Sequence, residues 1–200
     1  MYWKNKKVLV TGSSGLIGSS LVRKLENLGS EIYKTRGRMH DDLTDKDICR
    51  RVTYGIDTVF HCAAVSEGAK TMSENPKLVI TPNVVMNTYM LDASQMNKVK
   101  NFVFLSSTTI DHPEEYPGIA DMKKFGEQLC KFYARKYGMK TTIIRPTQTY
   151  GPNDKFDSRG HVIPNLIKRA VSKENPFIVW GDGSNVRDFL YVEDLTKGIL

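Results

Sequence analysis

The chain has 200 residues, 40% of them hydrophobic, with a net charge of +7 from 29 basic and 22 acidic side chains, which suits one well-cored domain with part of a second. No run reaches the roughly 18 apolar residues of a membrane span, Met1–Lys7 holds no apolar signal region, and Cys49, Cys62 and Cys130 form no CxxC pair, so no membrane contact, metal site or disulfide framework is expected, as in a cytoplasmic protein. Basic residues alternate with acids and no aromatic–basic platform appears, so the charge points to a solvated surface or small polyanionic ligands and not to nucleic acid.

In chain order, Val8–Val10 reads as a short buried strand that ends in Thr11 and Gly12. It runs into a glycine-rich turn, Thr11–Gly18, and a helix over Leu16–Leu28. In that strand–turn–helix setting Gly12 permits the tight turn, Gly15 lets backbone amides approach a pyrophosphate, and Gly18 lets the helix close on the sheet. Ser14, Leu16 and Ile17 complete the loop as cofactor contacts. A second strand is expected at Glu31–Thr35. Its end carries Lys34 and Arg36, with no carboxylate before Asp41. A cation there suits a 2′-phosphate and an acid would suit ribose hydroxyls, so NADP(H) is favoured over NAD(H).

Helices are expected near Asp45–Val52, Asn83–Gln95 and Ala120–Tyr137, and strands at Thr58–Cys62, Phe102–Ser106 and Thr141–Arg145. Buried parallel strands need helical crossovers, so this alternation predicts an α/β fold, a Rossmann-like doubly wound parallel sheet. It would occupy residues 1–146, with 147–200 the beginning of a smaller substrate-binding region. After Pro146 the texture is turn-rich at Tyr150–Asp154 and Asp157–Gly160. A helix over His161–Val171 and a strand at Phe177–Trp180 follow, the latter ended by Gly181–Gly183. The chain stops at Leu200 inside a helix expected from about Val192, with no cap, and reads as a fragment.

Several segments together resemble one family. Asp42–Asp45 resembles an adenine-contacting loop, which implicates Asp42 and Leu43, and His61–Ala64 resembles the third-strand turn beside a cofactor, which implicates Ala63 and Ala64. Asn83 falls where the family caps a helix, Phe104–Ser107 resembles the strand presenting a catalytic hydroxyl, and Arg145–Pro152, with Pro146, resembles the loop near the nicotinamide. With the glycine loop, these resemble the extended short-chain dehydrogenase/reductases of the sugar-nucleotide epimerase/dehydratase group. Lys34–Arg36, Tyr150–Asp154, His161–Pro164 and Trp180–Leu190 are similar to the GDP-L-fucose synthase branch, NADPH-dependent epimerase–reductases of a GDP-linked ketosugar.

The resemblance implies Ser107, Lys123 and His161 as catalytic residues, with Lys123 also holding the cofactor ribose. It implies Ser107, Thr109, His161, Arg169, Trp180 and Arg187 as contacts to a nucleotide sugar, and a homodimer as a possible assembly. One departure matters. The family places a Tyr four residues before the Lys, whose amine lowers the phenol pKa; here that position is Ile119. Pairing with Lys124 instead leaves Ala120 there, and Tyr116, the nearby phenol, precedes Pro117 and Gly118, which interrupt a continuous helix. Thr109 stands where an epimerising thiol is expected, and no Asp-Glu follows Ser107, which counts against dehydration. A nucleotide-sugar epimerase/reductase of altered chemistry is one reading; a dinucleotide-binding sensor or scaffold is the other.

Overall fold

The computed structural model describes residues 2–67, 74–157, 160–179 and 181–200. Five strands, β1 (Lys7–Thr11), β2 (Glu31–Lys34), β3 (Thr58–His61), β4 (Asn101–Leu105) and β5 (Lys140–Ile144), form one parallel sheet in the order β2-β1-β3-β4-β5. Among the described residues, the helices that connect them are α1 (Leu16–Asn27), α2 (Lys46–Thr53), α3 (Lys77–Met96) and α4 (Ile119–Tyr137). The doubly wound α/β expectation is met, with boundaries within one or two residues for most elements.

Period-two alternation sends both faces of each strand into apolar packing. Leu9, Val59, Phe102 and Phe104 face one core with Met86, Met90 and Leu91 of α3 and Cys130 of α4. Val8, Val10, Phe60 and Val103 face the other, with Leu21, Val22 and Leu25 of α1. Each fully buried Phe contributes roughly 1.5–3 kcal/mol. This two-sided burial is why the strands read as continuous apolar runs.

Strand order reverses between β1 and β3, since the chain leaves β1 towards β2 on one side and later adds β4 and β5 on the other. Ligands of open α/β sheets bind in the crevice beyond the carboxyl ends of the strands at such a switch point. The loops after β1 and β3 therefore define the site.

Beyond Pro146 lie β6 (Gln148–Tyr150), α5 (Val162–Val171), β7 (Phe189–Tyr191) and α6 (Val192–Ile199), with β6 and β7 paired in parallel as a separate ladder. Helix α6 packs on α1, where Ser20 Oγ and Thr196 Oγ1 share a buried hydrogen bond of 3.0 Å, Lys24 Nζ donates to the Glu193 carbonyl at 2.7 Å, and Arg23 pairs with the Glu193 carboxylate. Phe177–Val179 is not a strand; it is extended, exposed chain without a ladder, and Trp180 lies outside the described residues. A further correction concerns Asn83. Helix α3 begins at Lys77, so Asn83 is buried inside it and does not cap it. Pro82, with no N–H to give, resembles a helix start in sequence but sits at the sixth position of α3.

Candidate active site

The turn after β1 is shaped by what a side chain would hit. Gly12 has φ +62, and a Cβ on it would lie 2.8 Å from the Ala63 backbone; one on Gly18 would lie 2.2 Å from the Gly12 carbonyl oxygen. Gly15, extended, caps α1 without a side-chain hydrogen bond. The first amides of a 12-residue helix thus open onto the crevice, and such unpaired N–H groups attract anions. The end of β2 is tied to this loop, since Gly12 N donates to Thr35 Oγ1 at 3.2 Å and Ser13 Oγ to the Thr35 carbonyl at 3.2 Å.

A network behind the loop fixes the turn after β3. His61 is fully buried, with Nδ1 2.9 Å from Thr11 Oγ1 and Nε2 3.0 Å from Asn87 Oδ1. With Asn87 accepting, Nε2 carries the proton and Thr11 donates to Nδ1. Thr11 Oγ1 in turn accepts from Ala63 N at 3.1 Å. Burial pushes the imidazole down to about 4, so it is neutral. Asn83 clamps the next residues, accepting from Val65 N at 2.9 Å and donating to the Val65 carbonyl at 2.8 Å. The His61–Asn87 pairing leaves no signal in the sequence, because it joins β3 to mid-helix.

At the β2 end the basic residues divide. Arg36 donates through its backbone N and side chain to buried Asp41, which also receives Arg51 at 2.8 Å; Arg36 holds the Asp41 carboxyl far below the usual range. Lys34 pairs with Glu26 at 2.8 Å. Arg38 borders the crevice, with Asp42, Leu43 and Thr44; neither Lys34 nor Arg36 is on its wall. Its guanidinium reaches Asp42 Oδ2 at 3.2 Å, and Asp42 also accepts from Thr44.

On the far side, Glu127 joins three elements. Its carboxylate accepts from Ser106 Oγ at 2.7 Å and from Arg145 Nε and Nη2 at 2.7 Å each, and Arg145 holds it below the ordinary carboxylate range. This pins the ends of β4 and β5 to the middle of α4 and so orients the Ser107 turn. Ser107 Oγ accepts from Thr109 N at 3.1 Å. Thr109 Oγ1, Thr147 Oγ1 and Asp154 Oδ2, all in residues of the crevice wall, are buried without a hydrogen-bond partner.

Lys123 sits in a pocket of about 140 Å³ whose walls Ile17, Cys62, Ala63, Ala64 and Pro146 it shares with the main crevice. Its Nζ donates to the Leu105 carbonyl at 2.8 Å and lies 5.5 Å from the Phe104 ring centroid. Burial pushes this ammonium down to about 8 and the neighbouring Cys62 thiol up to about 12. Ile119, the first residue of α4, and Tyr116 both border the crevice.

The crevice measures about 2350 Å³ and is lined by Gly12, Ser14, Gly15 and Leu16, by Ser107 and Thr109, and by His161, Arg169 and Arg187. His161 is exposed at the start of α5. Arg169 is occupied: it makes two 2.7 Å bonds to Glu174, donates to the Ile178 carbonyl, and stacks 4.9 Å over Phe177. Arg187 pairs loosely with Glu115 at 3.6 Å. Asn153 donates to Ser19 Oγ at 3.1 Å and Lys155 to Ser66 Oγ at 2.8 Å, which ties the loop after β6 to the first turn of α1 and to the loop after β3. Among the described residues no cluster with metal-ligand geometry occurs, and no helix is long and apolar enough to cross a membrane.

A model of the NAD dependent epimerase/dehydratase family matches residues 8–200. The dTDP-4-dehydro-6-deoxy-D-allose reductase of Streptomyces bikiniensis is 30% identical, over 99% of this chain and 72% of the relative. The GDP-L-fucose synthase of Escherichia coli K12 is 30% identical, over 95% of this chain and 67% of the relative. A crystal structure of a GDP-L-fucose synthetase from Naegleria fowleri bound to NADP matches with a TM-score of 0.81 at 26% identity, covering 98% of this chain and 72% of that one.

Proposed function

The chain belongs to the NAD-dependent epimerase/dehydratase family, and on that premise we propose that it is an NADP(H)-dependent epimerase/reductase of nucleotide sugars, with a GDP-linked ketosugar as the substrate class. One observation carries the reading. A single crevice is lined both by the glycine loop, where the first amides of α1 open, and by His161 and Arg187, with Ser107 also in its lining and Arg169 beside them committed to Glu174. A dinucleotide and a nucleotide sugar bound together need anion-binding groups of both kinds in one crevice.

The residues fit a dinucleotide, because the loop after β1 is a cradle that a Cβ at Gly12 or Gly18 would fill. Gly12, Ser14, Gly15, Leu16, Ile17 and Gly18 hold the pyrophosphate, and Asp42 and Leu43 flank adenine. Ala63, Ala64 and Pro146 line the nicotinamide end, where Lys123 holds the ribose. The 2′-phosphate falls to Arg38, with Arg36 behind it locked to Asp41. When bound, the cofactor supplies hydride transfer.

On the substrate side, Ser107 and the unpartnered Thr109 hydroxyl orient the sugar. Arg187 exchanges its weak contact with Glu115 for a diphosphate, and His161 moves a proton at the sugar ring. Thr109 cannot form a thiolate at the epimerising position, which favours reduction over double epimerisation. In this division residues 1–146 bind the dinucleotide and 147–200 contribute to the sugar side.

A second reading, dinucleotide binding without turnover, is favoured by Ile119. Loss of reduced-nicotinamide absorbance, with NADPH and GDP-, dTDP- or UDP-linked 4-ketosugars, separates the two. Reduction of any of them supports the enzyme, most strongly with the GDP sugar. Tight NADPH binding without consumption replaces it by the second reading, and absence of dinucleotide binding defeats both.

A further inference from the structure

Resting on the reductase reading, we propose that Tyr116 supplies the proton that the residue at position 119 cannot. A ketone reduction needs an acid within hydrogen-bond reach of the carbonyl oxygen. Of the nine tyrosines in the chain, Tyr116 and Tyr150 border the crevice. Tyr150 lies on β6, with its ring centroid 5.6 Å from that of Tyr191 and 6.5 Å from that of Phe189, held in the second ladder. Tyr116 lies on the segment that joins the Ser107 turn to α4, between the hydroxyl and the lysine of the site.

The backbone brings it there. Tyr116 N donates to the His112 carbonyl at 3.2 Å, and Ala120 N donates to the Tyr116 carbonyl at 3.0 Å. These two i→i−4 bonds wind the segment before α4 in helical fashion, despite Pro117 and the positive φ of Gly118 (+74). Residue 116 therefore stands about one turn before Ala120, and both Tyr116 and Ile119 line the crevice. Glu115, its neighbour, is held by Arg187 from across the crevice at 3.6 Å. That contact places the segment next to the substrate-side arginine, which leaves Glu115 when a diphosphate takes it.

The step balances as follows. The carbonyl carbon accepts a hydride from a reduced nicotinamide dinucleotide, the carbonyl oxygen takes the Tyr116 phenol proton, and the phenolate recovers a proton from water. The carbonyl is reduced to an alcohol and the dinucleotide is oxidised. Ile119 then needs only to cover the reacting carbon with apolar surface.

The test uses the full chain with two readouts. The first is nuclear magnetic resonance of tyrosine labelled with carbon-13 at Cζ, the Tyr116 signal being identified by its loss in Tyr116→Phe. Adding NADP⁺ and then GDP-mannose, a sugar-nucleotide probe, should move that signal at the second addition. The second readout is turnover of GDP-4-keto-6-deoxy-mannose with NADPH. Tyr116→Phe should lower kcat by about 10²–10⁴-fold with NADPH affinity unchanged, and Ile119→Tyr in that background should restore part of it. A signal that ignores the sugar nucleotide, or a Tyr116→Phe enzyme as fast as wild type, overturns the role of Tyr116 and leaves the reductase reading standing. A wild-type chain that reduces no ketosugar overturns both.

Discussion

Replacing Lys123 by Met should make the ligand-free chain more stable while weakening its hold on the dinucleotide. The amine lies in the pocket behind the crevice, and burial pushes it down to about 8 from 10.5. At 1.36 kcal/mol per pKa unit, a charged lysine is disfavoured there by about 3 kcal/mol at neutral pH. The side chain is partly exposed, so some of this is screened. Methionine removes the charge at similar length but leaves the Leu105 carbonyl without its 2.8 Å donor, a cost of about 1 kcal/mol. The net gain should be about 1–2 kcal/mol, measured as the shift in urea midpoint without ligand at about pH 7. The folded pKa lies below the unfolded one, so between about pH 8 and 10.5 the unfolded chain binds more protons and wild-type stability rises with pH. The Met variant lacks that rise, and its advantage should close by about pH 10. With NADPH at about 100 times the wild-type Kd, wild type gains roughly 2.7 kcal/mol and the order reverses. A Met variant less stable than wild type without ligand at neutral pH, or an advantage independent of pH, refutes the reasoning.

Arg38→Ala should weaken NADP⁺ binding about tenfold or more and leave NAD⁺ nearly unchanged, measured by calorimetry; equal losses for the two cofactors would remove Arg38 from the 2′-phosphate. His61, neutral and held at about 4 against 6.5 when unfolded, makes the unfolded chain the better proton binder between those values. Stability should therefore fall as pH drops from about 6.5 to 4, by up to roughly 3 kcal/mol, and a His61→Asn chain should show a shallower decline over that window in thermal melts. Gly18→Ala should abolish dinucleotide binding and lower the melting temperature, since its Cβ would sit 2.2 Å from a backbone oxygen; an alanine variant that binds NADPH normally would contradict the crowding.

What the sequence made legible was what short-range pattern encodes. The apolar runs of β1, β3 and β4 and the glycine spacing declare themselves because each depends on neighbours a few residues away. Strands β6 and β7, three residues each, are too short for period-two alternation to show. Phe177–Val179 has strand composition but no ladder to join, so propensity misled. Asn83, a helix cap by resemblance, lies within α3 because the helix starts at Lys77 despite Pro82. Arg36 looks like a free cation in sequence, but Asp41, five residues on, folds back to it through Gly37, at φ +81. The wiring of His61 to Thr11 and Asn87, and of Glu127 to Ser106 and Arg145, spans 18 to 50 positions. Such pairings are decided by packing and leave no local trace.

The glycine contacts also set how this site can drift. Substituents at Gly12 and Gly18 would strike backbone atoms, of Ala63 and of Gly12 itself. No side-chain change elsewhere moves those atoms aside, so neither position should have a second-site suppressor. Gly126 differs. Its Cβ would meet the Phe104 ring at 2.5 Å, and trimming that ring opens the space. Residues 104 and 126 should therefore exchange bulk as a covarying pair in a random library, whereas 12 and 18 stay fixed whatever their surroundings become.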